Sequence, residues 1–154
     1  RPPRSTLFPY TTLFRSDTAP TIVGVVAALG DGWTAQKGRG GVVEALRGPD
    51  VVLTVHPAVN GTQIQRVVTR HPDVVFPWGV RVGDRIGGLK NWDRMTCRVA
   101  EEGVDGALCY AFDDSRFGYV VRGWIGDVAT LPPKEVVAEL PVAELVWMPL
   151  RTRR

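Results

Sequence analysis

Histidine and cysteine, which most often bind metals or act as bases and nucleophiles, are scarce in this sequence. Its 154 residues contain only two of each. Neither a Gly-x-Gly-x-x-Gly spacing nor a Walker A spacing occurs, so no phosphate-binding loop is indicated. No apolar run reaches the roughly 18 residues that a membrane-spanning helix needs. We therefore expect no catalytic residue, no cofactor and no bound metal.

The first sixteen residues are unlike the rest of the chain. Residues 1–16 read RPPRSTLFPYTTLFRS, which is the residue-for-residue translation of a common short-read sequencing adapter. Such segments are set aside before the fold is considered. The sequence thus predicts an artefactual segment at 1–16, a single domain at 17–150, and a basic tail at 151–154.

The positive charge of the chain comes from that first segment. The whole sequence has 19 basic and 16 acidic residues, a formal net charge of +3. Arg1, Arg4 and Arg15 lie within the adapter-like segment, which has no acidic residue. The remaining residues are balanced in charge, so the basic character that would suggest a nucleic-acid partner disappears. We expect no nucleic-acid binding.

Short runs with alternating apolar residues dominate the sequence after residue 32. Val51, Leu53 and Val55, for example, would share one face of a strand. Asn60-Gly61 is typical of a two-residue hairpin turn with positive φ at both positions. Because such runs recur about every 8–12 residues between glycines and prolines, an antiparallel sandwich-like or bent sheet is favoured. The predicted strands are residues 33–39, 41–47, 51–56, 62–69, 80–82, 96–100, 107–112, 117–122 and 143–148.

Two short helices interrupt the pattern of strands. Thr21 is suited to cap a helix over residues 22–29, which Gly30 would end. Asp84 can cap a further helical turn, and residues 134–140 are compatible with a second helix. The predicted fold is mainly β, with one or two short helices.

Cys97 and Cys109 each lie in a predicted strand, on either side of a polar turn region. Their spacing leaves two alternatives open, namely a disulfide between neighbouring strands or two buried free thiols. They do not form a C-x-x-C pair, so a thioredoxin-type redox centre is not indicated. A zinc site would require both cysteines to meet His56 and His71, and neither pair has zinc-finger spacing.

The histidines and tryptophans offer few other candidates for a functional site. His56 and His71 each precede a proline, which predicts surface turns rather than a catalytic base. Tryptophan is abundant, with five residues. Most of these rings should pack in the core, but Trp78, Trp92 and Trp124 are candidates to line a binding groove.

Several segments in a fixed order resemble the RpoE-regulated lipoprotein family of the proteobacterial envelope. They are residues 79–89 (GVRVGDRIGGL), the two cysteines Cys97 and Cys109, residues 117–124 (FGYVVRGW) and residues 145–149 (LVWMP). The resemblance extends over about residues 28–150. It implies a mainly β, sandwich-like domain that is exported to the periplasm and tethered by a lipid. It also implies that the two cysteines form a disulfide.

This family offers no catalytic residues to transfer. The resemblance therefore implies a non-catalytic cell-envelope protein, anchored to the outer membrane by a lipid and related to envelope stress. Its partner would be an envelope component or a small ligand. A signal peptide and a lipid-attachment cysteine are expected upstream of residue 17. The alternative is a small periplasmic hydrolase with an unrecognised site.

Overall fold

The computed structural model describes residues 18–99, 104–111 and 114–149. The predicted segments 1–16 and 151–154 lie outside these residues, as do the predicted strand ends at 100 and 112. The described chain forms two helices and eight strands. They are α1 (Ile22–Leu29), α2 (Lys134–Val137), β1 (Thr34–Lys37), β2 (Val43–Arg47), β3 (Asp50–Pro57), β4 (Ile64–Thr69), β5 (Met95–Val99), β6 (Ala107–Ala111), β7 (Asp114–Val121) and β8 (Val142–Trp147).

All eight strands belong to one antiparallel sheet with the order β1-β2-β3-β4-β8-β7-β6-β5. Strands β1 to β4 form one meander and β5 to β7 form another. The last strand, β8, pairs with β4 on one side and β7 on the other, and so joins the two meanders. The mainly β fold that the alternating runs predict is confirmed.

Three local predictions are wrong, and the reason differs at each place. Residues 80–82 do not form a strand, since Val80 makes only an isolated bridge with Phe76 across a one-turn 3₁₀ helix. The turn after Asp84 divides into two short 3₁₀ helices, Ile86–Gly88 and Trp92–Arg94. At Asn60-Gly61 only the glycine has positive φ, so the turn is not type I′.

One face of the sheet is covered by α1, α2 and the long connection between β4 and β5. Val25 of α1, Val137 of α2, and Phe76 and Ile86 of the connection are almost fully buried there. Gly87 is required for this packing, because a Cβ atom at this position would lie 2.6 Å from the carbonyl oxygen of Ala138. The connection therefore docks by close backbone contact as well as by apolar burial.

The opposite face has two different halves. Over β6, β7 and β8 it carries a small apolar cluster that includes Leu108, Val120 and Val146. Over β2, β3 and β4 it carries polar side chains such as Glu44, Thr54 and His56, which are only half-buried. The candidate site lies on this polar half.

Candidate functional site

A polar groove lies on the uncovered half of the sheet. Because side chains alternate between the two faces of a strand, Glu44, Thr54, His56 and Glu144 all point to the same side. Two adjoining cavities of about 680 and 460 Å³ share the first three of these residues. The larger cavity is also lined by Lys37, Gly38, Arg39 and Val42, and the smaller by Val51, Val52, Val68, Arg70, Asp105 and Glu144.

Glu144 is the buried charge of this groove, with only 6% of the residue exposed. Its Oε2 atom accepts a hydrogen bond from Arg70 Nε at 2.5 Å and lies 2.9 Å from Arg122 Nη2. Arg70 follows β4 and Arg122 follows β7, the two strands that flank β8. A buried carboxylate needs such partners, because an unpaired charge would be costly to remove from water.

His56 has a second arginine beside it. Arg66 on β4 is its register partner, and Arg66 Nη2 lies 3.3 Å from His56 Nδ1. The pKa of His56 is lowered to about 4, mainly by burial and secondly by the charge of Arg66, and the charge of Glu144 opposes this by a smaller amount. The ring is therefore neutral at pH 7. Since a guanidinium can only donate, Nδ1 accepts and the ring proton is carried by Nε2.

This histidine corrects the sequence-based expectation that both histidines lie in surface turns. His56 lies within β3 and is half-buried. His71 does lie at a turn, where its Nδ1 accepts a hydrogen bond from the backbone N–H of Asp73 at 3.1 Å. The proline after His56 was a misleading signal, because Pro57 is still paired with Ile64 and is the last residue of β3 instead of the first residue of a loop.

Cys97 and Cys109 face each other on β5 and β6 and form a disulfide. Their Cα atoms are 4.0 Å apart, slightly closer than the roughly 4.4 Å lower end of the usual range. The disulfide that the family resemblance implies is confirmed, and the alternative of two free thiols is wrong.

The three candidate tryptophans occupy different surroundings. Trp78 is 59% exposed, has a positive φ of 64°, and lines a small apolar cavity with Met95 and Phe117. Trp92 lies beneath the ammonium group of Lys134, 5.0 Å from it. Trp124 is buried, and its indole N–H donates to the carbonyl oxygen of Asp127 at 3.2 Å. A shared tryptophan groove stays a prediction.

The described residues include no cluster of three or more His, Cys, Asp or Glu side chains that could hold a metal ion. Within the same residues, no helix is long and apolar enough to cross a membrane. The chemistry of the groove consists of hydrogen-bonding and charged side chains above an apolar floor.

Sequence reasoning missed the charged members of the groove. Glu144 had a usable signal, because it is a single acidic residue inside the otherwise apolar run of β8. Arg70 and Arg122 had none, because each lies just beyond a strand end where a charged residue is ordinary. The separation of 74 residues between Arg70 and Glu144 hides their pairing from local patterns.

Comparisons with known proteins agree with this fold. The crystal structure of the uncharacterized protein yfeY from Escherichia coli is similar, with a TM-score of 0.65 and 19% sequence identity. The match covers 86% of this chain and 91% of that protein. No curated protein matches the chain in sequence. The profile of DUF1131, a protein family of unknown function, matches residues 15–149. The chain therefore belongs to the DUF1131 family.

Proposed function

We propose that this chain is the folded domain of a non-catalytic bacterial cell-envelope protein that acts by binding. In its full-length form the protein is exported to the periplasm and anchored to the outer membrane by a lipid. It serves under envelope stress by binding an envelope component or a small ligand. The polar groove over β2, β3 and β4 is its binding surface.

The Cys97–Cys109 disulfide is the observation that carries this proposal. Disulfides persist in the periplasm and in other oxidising compartments, whereas the cytosol keeps thiols reduced. The resemblance to the RpoE-regulated lipoproteins supports the same compartment and adds the lipid anchor. Both cysteines of the chain are used in this bond.

The state of His56 supports binding over catalysis. A general base works best when its pKa lies near the working pH. With a pKa of about 4, the imidazole of His56 is a weak base at neutral pH. Its position beside Arg66 instead suits a fixed hydrogen-bond donor in a recognition site.

The compartment is tested by expressing the complete gene, with its own upstream sequence, in a proteobacterial host. We expect the product in the outer-membrane fraction, with no free thiols after denaturation in the presence of an alkylating reagent. We also expect labelled palmitate to be incorporated, and incorporation to stop when lipoprotein signal peptidase is inhibited. A cytoplasmic product with two reactive thiols would contradict the proposal.

The hydrolase alternative is tested on the same purified protein. Chromogenic ester, amide and glycoside substrates should show no turnover above that of a His56→Gln variant. A turnover that His56→Gln abolishes, while its thermal unfolding stays unchanged, would establish the alternative instead. Expression from a reporter of the native promoter should rise under outer-membrane stress, and a constant level would remove the stress role alone.

A further inference from the structure

The groove contains both positive and negative side chains. They differ in how far an opposite charge within the protein already neutralises them. Arg70 and Arg122 share the single carboxylate of Glu144, so this trio has one positive charge in excess. Asp105, in the turn before β6, lines the same cavity, and no cation of the described chain lies within ion-pair distance of it. One wall of the cavity thus favours an anion and another favours a cation.

Arg70 is prepared to hold an anionic group. Its Nε atom donates to the buried Glu144, while 71% of its side chain remains exposed. The carboxylate thereby fixes the direction of the guanidinium and leaves the terminal amino groups accessible from the groove. Two parallel hydrogen bonds from a guanidinium match the geometry of a carboxylate.

Two carboxylates provide the opposite charge. Asp105 is exposed at the mouth of the smaller cavity, and Glu44 lies where the two cavities meet. Glu44 is oriented by Gln36, whose Nε2 donates to its Oε1 at 2.8 Å. Glu44 on β2 is separated from β6 by four strands, so Asp105 is the carboxylate that suits an ammonium group, which needs acceptors to replace its water.

The floor between these walls is apolar. Val52 and Val68 line the cavity beneath the charged groups, and Val52 is 3% exposed. The neutral ring of His56 adds a hydrogen-bond donor without adding charge. The cavity of about 460 Å³ falls in the usual range for small-molecule sites.

We propose that the groove binds a zwitterion of amino-acid or dipeptide size, with its carboxylate at Arg70, its ammonium at Asp105, and its side chains over Val52 and Val68. This inference rests on the proposed binding function and names its ligand class. Arg70 keeps its contact with Glu144 in either case, but a ligand with only one charge would meet an opposite charge at Arg70 or at Asp105 and not at both. A zwitterion satisfies both at once.

The test is calorimetric titration of the chain with three probes that differ only at their ends. L-alanyl-L-alanine carries both charges, its N-acetyl derivative lacks the ammonium, and its C-terminal amide lacks the carboxylate. We expect the unblocked dipeptide to bind at least tenfold more tightly than either blocked form. Equal affinity for the N-acetyl form would mean a simple anion site and would overturn the proposal, as would no binding of the dipeptide.

Two variants assign the ends of the ligand. Asp105→Asn should weaken the binding of the dipeptide and its amide about tenfold and leave the N-acetyl form unchanged. Arg70→Gln should weaken the dipeptide and the N-acetyl form and leave the amide unchanged. Asp31→Asn, an exposed acid outside the groove, and Arg85→Gln, which loses an exposed ion pair with Glu139, are the matched controls.

These outcomes are separable from the proposed function. Asp105 makes no ion pair within the described residues, so Asp105→Asn should fold normally and remains informative if Arg70→Gln is unstable. Failure of every probe would remove the zwitterion site, whereas export, lipidation and the disulfide are measured independently in cells.

Discussion

The two faces of the sheet bury their side chains by different means, and the difference separates stability from recognition. On the covered face, α1 and the connection between β4 and β5 place apolar residues such as Val25 and Phe76 over the strands. On the open half of the other face, Glu144 is buried only because two guanidiniums accompany it. Apolar burial gains free energy without requiring a particular partner, whereas a buried charge depends on each partner. Substitutions on the first face should therefore cost the most stability, whereas on the second face the cost should depend on whether a buried charge loses its partner.

The largest effect is expected from Phe76→Ala on the covered face. Phe76 is 1% exposed, and its ring makes edge-to-face contacts with Phe117 and Tyr119 at centroid distances of 5.4 and 6.3 Å. Removing the ring leaves a cavity and should lower the free energy of unfolding by about 4 kcal/mol. Urea unfolding followed by tryptophan fluorescence measures the change.

Val59→Ala is the matched control for that substitution, because Val59 is fully exposed in the β3–β4 turn. It should change the free energy of unfolding by less than about 0.5 kcal/mol. If Phe76→Ala were as mild as Val59→Ala, the covered face would not be the main source of stability.

Reduction of the Cys97–Cys109 disulfide should have the next largest effect. The bond joins two neighbouring strands with a sequence separation of 12, and its main action is to restrict the unfolded chain. A loop of this size corresponds to about 3 kcal/mol. We expect the reduced domain to stay folded but to unfold at lower urea concentration.

A Cys97→Ala/Cys109→Ala double variant provides the control for reduction. Its unfolding should not respond to reductant, and its stability should match that of the reduced chain to within about 1 kcal/mol, since the only change is the loss of two thiol groups. A reduced chain as stable as the oxidised one would show that the bond has no structural role.

Glu144→Gln tests the open face and should cost about 2 kcal/mol. The substitution keeps the shape of the side chain but leaves Arg122, which is 33% exposed, without its opposite charge. Breaking a fully buried pair costs more, but the exposure of Arg70 to water reduces the loss here. Glu139→Gln, which breaks an exposed pair with Arg85 at 3.1 Å, should cost less than about 0.5 kcal/mol. Equal costs for the two substitutions would contradict the special status of Glu144.

The strands were predictable from the sequence because alternation is a local property. The β3 run from residue 51, for instance, shows its apolar face in a few letters. The backbone of residues 76–80 was not predictable, because Trp78 adopts a left-handed conformation that is unusual for a bulky residue. Its tight turn is closed by a hydrogen bond from Gly79 N–H to the carbonyl oxygen of Phe76 at 3.0 Å.

The candidate site was less predictable than the fold because it depends on the order of strands in the sheet. Glu144 meets Arg70 and Arg122 only because β8 lies between β4 and β7. No local pattern shows that the last strand enters the middle of the sheet. The disulfide was predictable only in part. The spacing of the cysteines allowed either a disulfide or two free thiols, and the family resemblance favoured the disulfide.

The smallest expected effect is the pH dependence that His56 adds to stability. Its pKa is lowered from 6.5 to about 4 in the folded chain. As the pH falls from about 6.5 towards 4, the unfolded chain takes up a proton at this position and the folded chain does not. Stability is therefore highest above pH 6.5 and declines over this window. Because the side chain is only half-buried, solvent screening should limit the loss to about 1 kcal/mol.

Urea unfolding of the unmodified chain and of His56→Gln between pH 4 and 7 measures this loss. Other titrating groups act alike in both proteins, so the difference between the two curves isolates His56. The difference should shrink when Arg66 is replaced by Gln, because the charge of Arg66 is the second cause of the lowered pKa. Nuclear magnetic resonance of the imidazole should then show His56 titrating at higher pH in Arg66→Gln. If the pKa did not move, burial alone would hold the ring neutral, and the guanidinium of Arg66 would serve only to orient it.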